Sequence, residues 1–146
     1  MKLSHTFTVA ASPDRVWAVL MDIPVMAECI PGVSGVSQAD DTTYDAQVTT
    51  KIGPITARFA CRIAVLSLDD ATHTGRVEVT GKDVKLGGGV KAKMAMALAP
   101  EGDGTTVSID SDVDIMGKIG QYGHGMISKR ADAMLADFAA CLQTRF

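Results

Sequence analysis

Large rigid side chains are scarce in this chain. Aromatic residues make up 5% of its 146 positions, with a single Trp and two Tyr. An interior built under that limit has to come from aliphatics, Ala and 8 Met, which bring the hydrophobic fraction to 47%. Strong charge is missing as well. A formal net charge of -3 gives no electrostatic reason to expect nucleic acid, whose binding depends on a clustered basic surface. No apolar run is long enough to cross a bilayer, and the start Met1-Lys2-Leu3-Ser4-His5-Thr6 lacks the continuous apolar core of a signal peptide. A cytoplasmic protein is expected. Cys29, Cys61 and Cys141 are an odd number with no paired spacing, which argues against a disulfide framework and against zinc. The length suits one domain, residues 1–146, with room for a real core but not for a catalytic domain plus a regulatory one.

What is present is strongly patterned. Leu3, His5, Phe7 and Val9 alternate with Ser4, Thr6 and Thr8, the mark of a strand with one wet face. Ser12-Pro13-Asp14 starts a helix, with Ser as N-cap, Pro at the first helical position and an acid in the positive first turn. Val16, Trp17, Leu20 and Met21 form its buried stripe. A second short helix is expected from Val25 to Glu28, ended by Cys29-Ile30-Pro31-Gly32, because Pro31 disfavours helix before it and Gly32 permits a sharp turn.

From Val33 to Ile115 the period changes to two, and an antiparallel meander is expected. Its turns fall at Gly53-Pro54, Asp69-Asp70, Gly87-Gly88-Gly89 and Pro100 to Gly104. If Leu98 faces Val107 in the last hairpin, Lys93 faces Asp112 and Lys91 faces Asp114 on the outer side. Met116 to Phe146 then reads as one long helix. Met116, Gly120, Gly123, Ile127, Ala131, Met134, Phe138 and Cys141 or Leu142 recur three or four residues apart and share its buried face. The expected fold class is α+β: a curved antiparallel sheet of six to seven strands wrapped around a long C-terminal helix, with two short helices after the first strand. This is the helix-grip arrangement.

A cavity is expected between that sheet and helix. Ala46, Ala57, Cys61, Gly75, Gly81, Ala92 and Ser111 are small residues in the inward phase, and Gly120 and Gly123 oppose them on the expected helix. Small residues facing small residues either let the two layers close together or leave space. Met94 and Met96, with Met116 and Met126 nearby on the expected helix, would give such a space adaptable walls. His5, Tyr44, Thr50 and Ser111 are the polar residues of the inward phase, suited to anchor a mainly apolar ligand; for His5 the competing role is a satisfied edge histidine. With Phe7, Ala46, Phe59, Cys61, Val79 and Ile127 they complete the expected lining. Gly120 and Gly123 would then be kept for volume, since each Gly costs about 1 kcal/mol relative to Ala inside a helix.

Catalytic and cofactor patterns fit poorly. Gly117, Gly120, Gly123 and Gly125 follow a strand and open a helix, but not in the Gly-x-Gly-x-x-Gly order, and no later strand completes a βαβ unit. Gly87-Gly88-Gly89 lacks the Gly-Lys-Ser/Thr ending of a phosphate loop. Asp110, Asp112 and Asp114 resemble a calcium loop, yet Ile115 stands where Gly is needed, and their lysine-facing register explains them as a solvated face. Neither a metal nor a cofactor is expected. His73 and His124 have no nucleophile or carboxylate at a recognisable spacing and read as surface histidines. Cys29, at the C-terminal end of its helix, reads as apolar packing.

Five stretches together resemble one family. They are Val16-Trp17 after Ser12-Pro13, then Cys29-Ile30-Pro31-Gly32, Lys51-Ile52-Gly53-Pro54-Ile55, Gly104-Thr105-Thr106 and Gly117-Lys118-Ile119-Gly120-Gln121. In order and spacing they are similar to the carbon monoxide dehydrogenase CoxG family of the START-like (SRPBCC, Bet v 1-like) superfamily. The resemblance spans essentially the whole chain. It implies a non-catalytic binder of a small hydrophobic, lipid- or quinone-like ligand, accessory to a molybdenum-containing CO dehydrogenase or related hydroxylase. Longer members continue into a linker and an apolar tail; this sequence stops at Phe146, so stable membrane anchoring is not expected. The competing readings are a START-like enzyme, cyclase or hydrolase, using the same cavity, and a protein-interaction adaptor.

Overall fold

The structure, a computed structural model, describes every residue except Val84, Leu86 and Gly123, and every side chain except theirs and those of Tyr122 and His124. The opening alternation is strand β1 (Lys2–Val9). Helix α1 (Pro13–Met21) starts as its sequence dictates, the Ser12 side chain accepting from the Arg15 N–H, and it buries Val16, Trp17 and Leu20. Asp22 caps α2 (Ile23–Glu28), which begins two residues before the expected Val25 because Pro24 occupies its first turn. Gly32, at φ +80, turns the chain into β2; a Cβ there would lie 2.0 Å from the Thr49 carbonyl oxygen, so the turn admits no side chain.

The meander follows as β2 (Val33–Asp40), β3 (Thr43–Ile52), β4 (Ile55–Asp69), β5 (Thr74–Asp83), β6 (Gly88–Glu101) and β7 (Gly104–Gly117). All pairings are antiparallel, and β1 adds to the far side of β7, giving the order β1-β7-β6-β5-β4-β3-β2 among the described residues. Leu98 pairs with Val107, Lys93 with Asp112 and Lys91 with Asp114. The charge pattern of the outer face thus specifies the same register as the apolar pattern of the inner one.

The C-terminal helix is shorter than its sequence suggests. The β6–β7 ladder continues through Gly89 opposite Met116 to Gly88 opposite Gly117, so Met116 is the end of a strand. Gly117, at φ +74, ends β7, where a Cβ would sit 2.5 Å from the Gly87 carbonyl oxygen. A 3-10 turn (Lys118–Tyr122) then leads into α3 (His124–Gln143). Three-four periodicity cannot separate these segments, because the residues stay apolar on one side throughout.

Helix α3 touches both β1 and β3. Five strand-to-strand steps separate those strands in the sheet order, about 24 Å in a flat sheet at about 4.8 Å per step, whereas a helix is about 10–12 Å across. The sheet therefore curls around α3. Two apolar clusters result. One gathers Val9, Val16, Trp17, Leu20, Leu98, Val107 and Ile109 against Phe138 and Leu142 of α3. The other gathers Ile52, Ala57, Phe59 and Cys61 against Ile119 and Ile127.

The cysteine expectation is overturned. Cys29, at the end of α2, and Cys141, in the last turns of α3, form a disulfide across 112 residues, with Cα atoms 5.3 Å apart. Linear spacing carries no trace of a contact that tertiary folding creates. Cys61 is left as a buried free thiol, and burial pushes its pKa up.

Candidate functional site

Between the two clusters the inner face of the sheet is only partly covered. Ile63 and Val65 of β4, Val77 and Val79 of β5, Ala92 of β6 and Val113 of β7 belong to neither cluster and are all half-buried. They are also adjacent. Ile63 pairs with Val79, Val65 with Val77, Val79 with Ala92 and Ala92 with Val113, so they form one continuous apolar band across the central strands. Inward apolar side chains are normally buried by the layer opposite; here α3 closes over the two ends of the concave face and leaves its middle partly accessible.

The reason lies in α3 itself. Its inward side carries Ile127 toward one cluster and Leu135, Phe138 and Leu142 toward the other, and between them stands Ala131, a short side chain that reaches little of the sheet. On either side of Ala131 the helix is tied to the sheet by polar contacts. Arg130 Nε donates to Thr50 Oγ1 of β3 at 2.7 Å, and Asp132 Oδ1 lies 2.6 Å from His5 Nε2 of β1. Residues two apart stand about 200° apart around a helix, so one helix can reach both flanks of the curled sheet at once. A carboxylate only accepts, so His5 Nε2 carries the proton; His5 Nδ1 is buried without a partner among the described residues.

The expected lining residues fall into four groups. His5, Tyr44, Val79 and Ser111 are half-buried on the inner face, with Ser111 opposite Met94 and Tyr44 opposite Ile63, while Met94 and Met96, also half-buried, pack against the larger cluster. Phe7, Phe59, Cys61 and Ile127 are in or against the closed clusters, Phe7 meeting Phe138 edge to face with centroids 6.2 Å apart; Ala46, opposite Cys61, is likewise buried. Met116 is corrected: it is 54% exposed, on the phase opposite Ile115. Gly120 is corrected too, because it belongs to the 3-10 turn, where a Cβ would meet the Ile115 carbonyl oxygen at 3.3 Å. It serves close packing, and no volume is kept there. Gly123 and the side chain of His124 lie outside the described residues.

Sequence reasoning passed over Ile63, Val65, Val77 and Val113 as lining, although each sits in the inward phase of its strand. It also passed over Arg130 and Asp132. Their signal was available in Arg130-Ala131-Asp132, two opposite charges flanking a small residue on the buried stripe. His73 is corrected as well. Its ring lies 5.5 Å from that of Trp17, its Nε2 is 2.9 Å from Asp14 Oδ1, and Trp17 Nε1 donates to Asp70 Oδ1 at 2.8 Å. This cluster pins α1 to the β4–β5 turn, away from the band.

Among the described residues, two depressions lie away from the band. One of about 470 Å³ is lined by outward residues such as Asp45, Gln47, Arg62, Thr80 and Lys82, beside the bulge in the β2–β3 ladder; a smaller one adjoins Gly87 to Gly89 and Met116. Among the described residues no group of three His, Cys, Asp or Glu side chains is placed to hold a metal ion, and no helix is long and apolar enough to cross a membrane.

A curled antiparallel sheet gripping a C-terminal helix, with two short helices after the first strand, defines a START-like, Bet v 1-like protein of the helix-grip class. A START superfamily protein from Mycobacterium smegmatis shares the fold at a TM-score of 0.68 and 20% identity, covering 99% of this chain and 95% of its own. The Zhui aromatase/cyclase of a Streptomyces species does so at 0.68 and 15%, covering 99% and 92%. A conserved protein from Geobacillus kaustophilus superposes at 0.90 with 20% identity, covering 99% and 94%. No match was found among curated proteins. The profile of the CoxG family, the G subunit of carbon monoxide dehydrogenase, matches residues 6–146, and the chain belongs to that family.

Proposed function

We propose that this protein, acting as one domain, binds a small hydrophobic molecule, lipid- or quinone-like, on the concave face under α3, without turning it over. It does so as an accessory to a molybdenum-containing CO dehydrogenase-type enzyme. The observation that carries the binding reading is the apolar band of Ile63, Val65, Val77, Val79, Ala92 and Val113, accessible between two closed clusters. Ligand sites are concave and mostly apolar with few polar groups; here Tyr44, opposite Ile63, and Ser111, opposite Met94, lie beside the band, and His5 and the Thr50–Arg130 pair lie further out on the same inner face, where α3 is tied to the sheet. Family membership supports the partner.

Organic extraction of the protein purified without detergent, followed by mass spectrometry, should release an apolar molecule. Ala92→Leu gives the matching structural test. On an open face the added carbons take up free space, so the variant should keep its thermal stability and lose binding of an apolar fluorescent probe. On a closed face the same change overpacks the core and costs about 1–3 kcal/mol. A destabilised Ala92→Leu protein that still binds the probe as before would defeat the proposed site.

A further inference from the structure

Of the chain's 14 lysines and arginines, all but Arg130 are solvent-exposed. Several of the exposed arginines are engaged: Arg62 with the Asp45 carboxylate, Arg145 with Glu28, and Arg15 over the ring of Phe146. Arg130, half-buried on the inner side of the fold, has a single neutral partner among the described residues, the Thr50 hydroxyl. Thr50 is itself only 8% exposed, so the contact lies at the seam of α3 and β3, on the same inner face as the apolar band. The acid nearest along the helix, Asp132, is on the opposite flank and faces His5.

A guanidinium has five N–H donors in a fixed fork, and the Thr50 contact uses one. Taking a cation partly out of water without a counter-charge is unfavourable, and proteins offset it with an acceptor that satisfies the charge. Thr50 holds the guanidinium by Nε, the inner corner of the fork, which leaves the terminal amines to an incoming group. The apolar band supplies no acceptor of its own.

Resting on the binding reading above, we propose that Arg130 is a specificity-determining residue that receives the polar end of the lipophilic ligand. That end is an oxygen acceptor, a carboxylate or the carbonyl of a quinone-type ring. The arrangement selects against molecules without an acceptor and against amines, whose charge the guanidinium repels.

The test compares three probes of similar apolar size: dodecanoate, a decyl-substituted benzoquinone and decylbenzene, which lacks an acceptor. The wild-type protein should bind at least one acceptor-bearing probe about ten- to a hundredfold more tightly than decylbenzene, the worth of a charged hydrogen bond. Arg130→Gln should remove that preference and leave decylbenzene affinity within about twofold. Arg130→Lys should keep more of it for the carboxylate, which needs only charge, than for the quinone. Raising salt to about 1 M should weaken dodecanoate and spare the quinone, separating the two sources of the acceptor. Thr50→Val, which removes the platform and keeps the charge, should show a reduced preference and covers the case in which Arg130→Gln does not fold. Equal preference in wild type and Arg130→Gln, or no preference in wild type, makes Arg130 a mere tie between α3 and β3 and overturns the proposal. Failure of the wild-type protein to bind any of the three, decylbenzene included, overturns the binding reading itself and this inference with it.

Discussion

The two halves of α3 are held in different ways. Its C-terminal half is fixed by burial: Phe138 and Leu142 sit in the larger cluster with Leu20, Val16 and Val107, most of them essentially inaccessible to solvent, and Cys141 is bonded to Cys29. Each fully buried large apolar side chain there contributes roughly 1.5–3 kcal/mol. Its middle is held by polar contacts on its flanks, Arg130 to Thr50 and Asp132 to His5, over an apolar band that is covered only in part. Burial makes one region rigid and costly to change, while polar ties hold the other in place without filling it. The same helix can therefore anchor the fold and roof a site.

The largest effect should come from removing an anchor. Phe138→Ala deletes a buried ring that meets Phe7 and should cost about 3–5 kcal/mol in denaturant unfolding. Val79→Ala, an inward change of similar kind in the band, should cost clearly less, about 1 kcal/mol, because it removes fewer carbons from a half-buried position. Equal costs at the two positions would mean that the band is as closed as the cluster, and the comparison would fail.

The disulfide comes next. Closing a loop across 112 residues restricts the unfolded chain, with an expected contribution of about 2–4 kcal/mol. Reductant should lower the denaturation midpoint of the wild-type protein and leave a Cys29→Ser, Cys141→Ser double variant unmoved. Binding of an apolar probe, measured where both proteins are folded, should be alike with and without the bridge, because it clamps the anchored half only. A midpoint indifferent to reductant would show that packing alone holds that end.

The elements most legible in the sequence were those whose physics is local. Ser12-Pro13-Asp14, the alternation of β1 and the Lys93–Asp112 and Lys91–Asp114 register each depend on neighbours along one or two strands, and each stands in the structure as read. What was missed depends on distant partners. Whether Met116 continues β7 or starts a helix is decided by Gly88 and Gly89 across the ladder. Whether Cys29 meets Cys141 is decided by how far α3 reaches past the sheet. The candidate site was legible as a face and not as a list: period-two phase marked Tyr44, Val79 and Ser111 as inward, but the same phase holds for buried Phe59 and Cys61. Only the curl of the sheet and the length of α3 determine which inward residues stay open.

The smallest effect sharpens the comparison from the other side of the sheet. Next to the half-buried band, outer-face charges also join neighbouring strands. Asp45 accepts from Arg62, its cross-strand partner, through Nε to Oδ1 at 2.9 Å and Nη2 to Oδ2 at 3.1 Å. The Arg62 hydrogen bond, chiefly, holds the Asp45 carboxyl below its ordinary value of 3.8. A carboxylate depressed in the folded state stabilises the fold at pH values above its unfolded pKa, and that contribution fades as pH falls through the folded value. Both partners are well exposed, so the contribution is small and screened by salt. The stability difference between wild type and Asp45→Asn should therefore be slight, constant from neutral pH down to the ordinary carboxyl range, and should shrink only as pH falls below 3.8. Thermal melts across that range are the measurement. A difference that already changes near neutral pH would assign it to another group, and a large one would mean that the outer ladder, not the two clusters, holds β3 against β4.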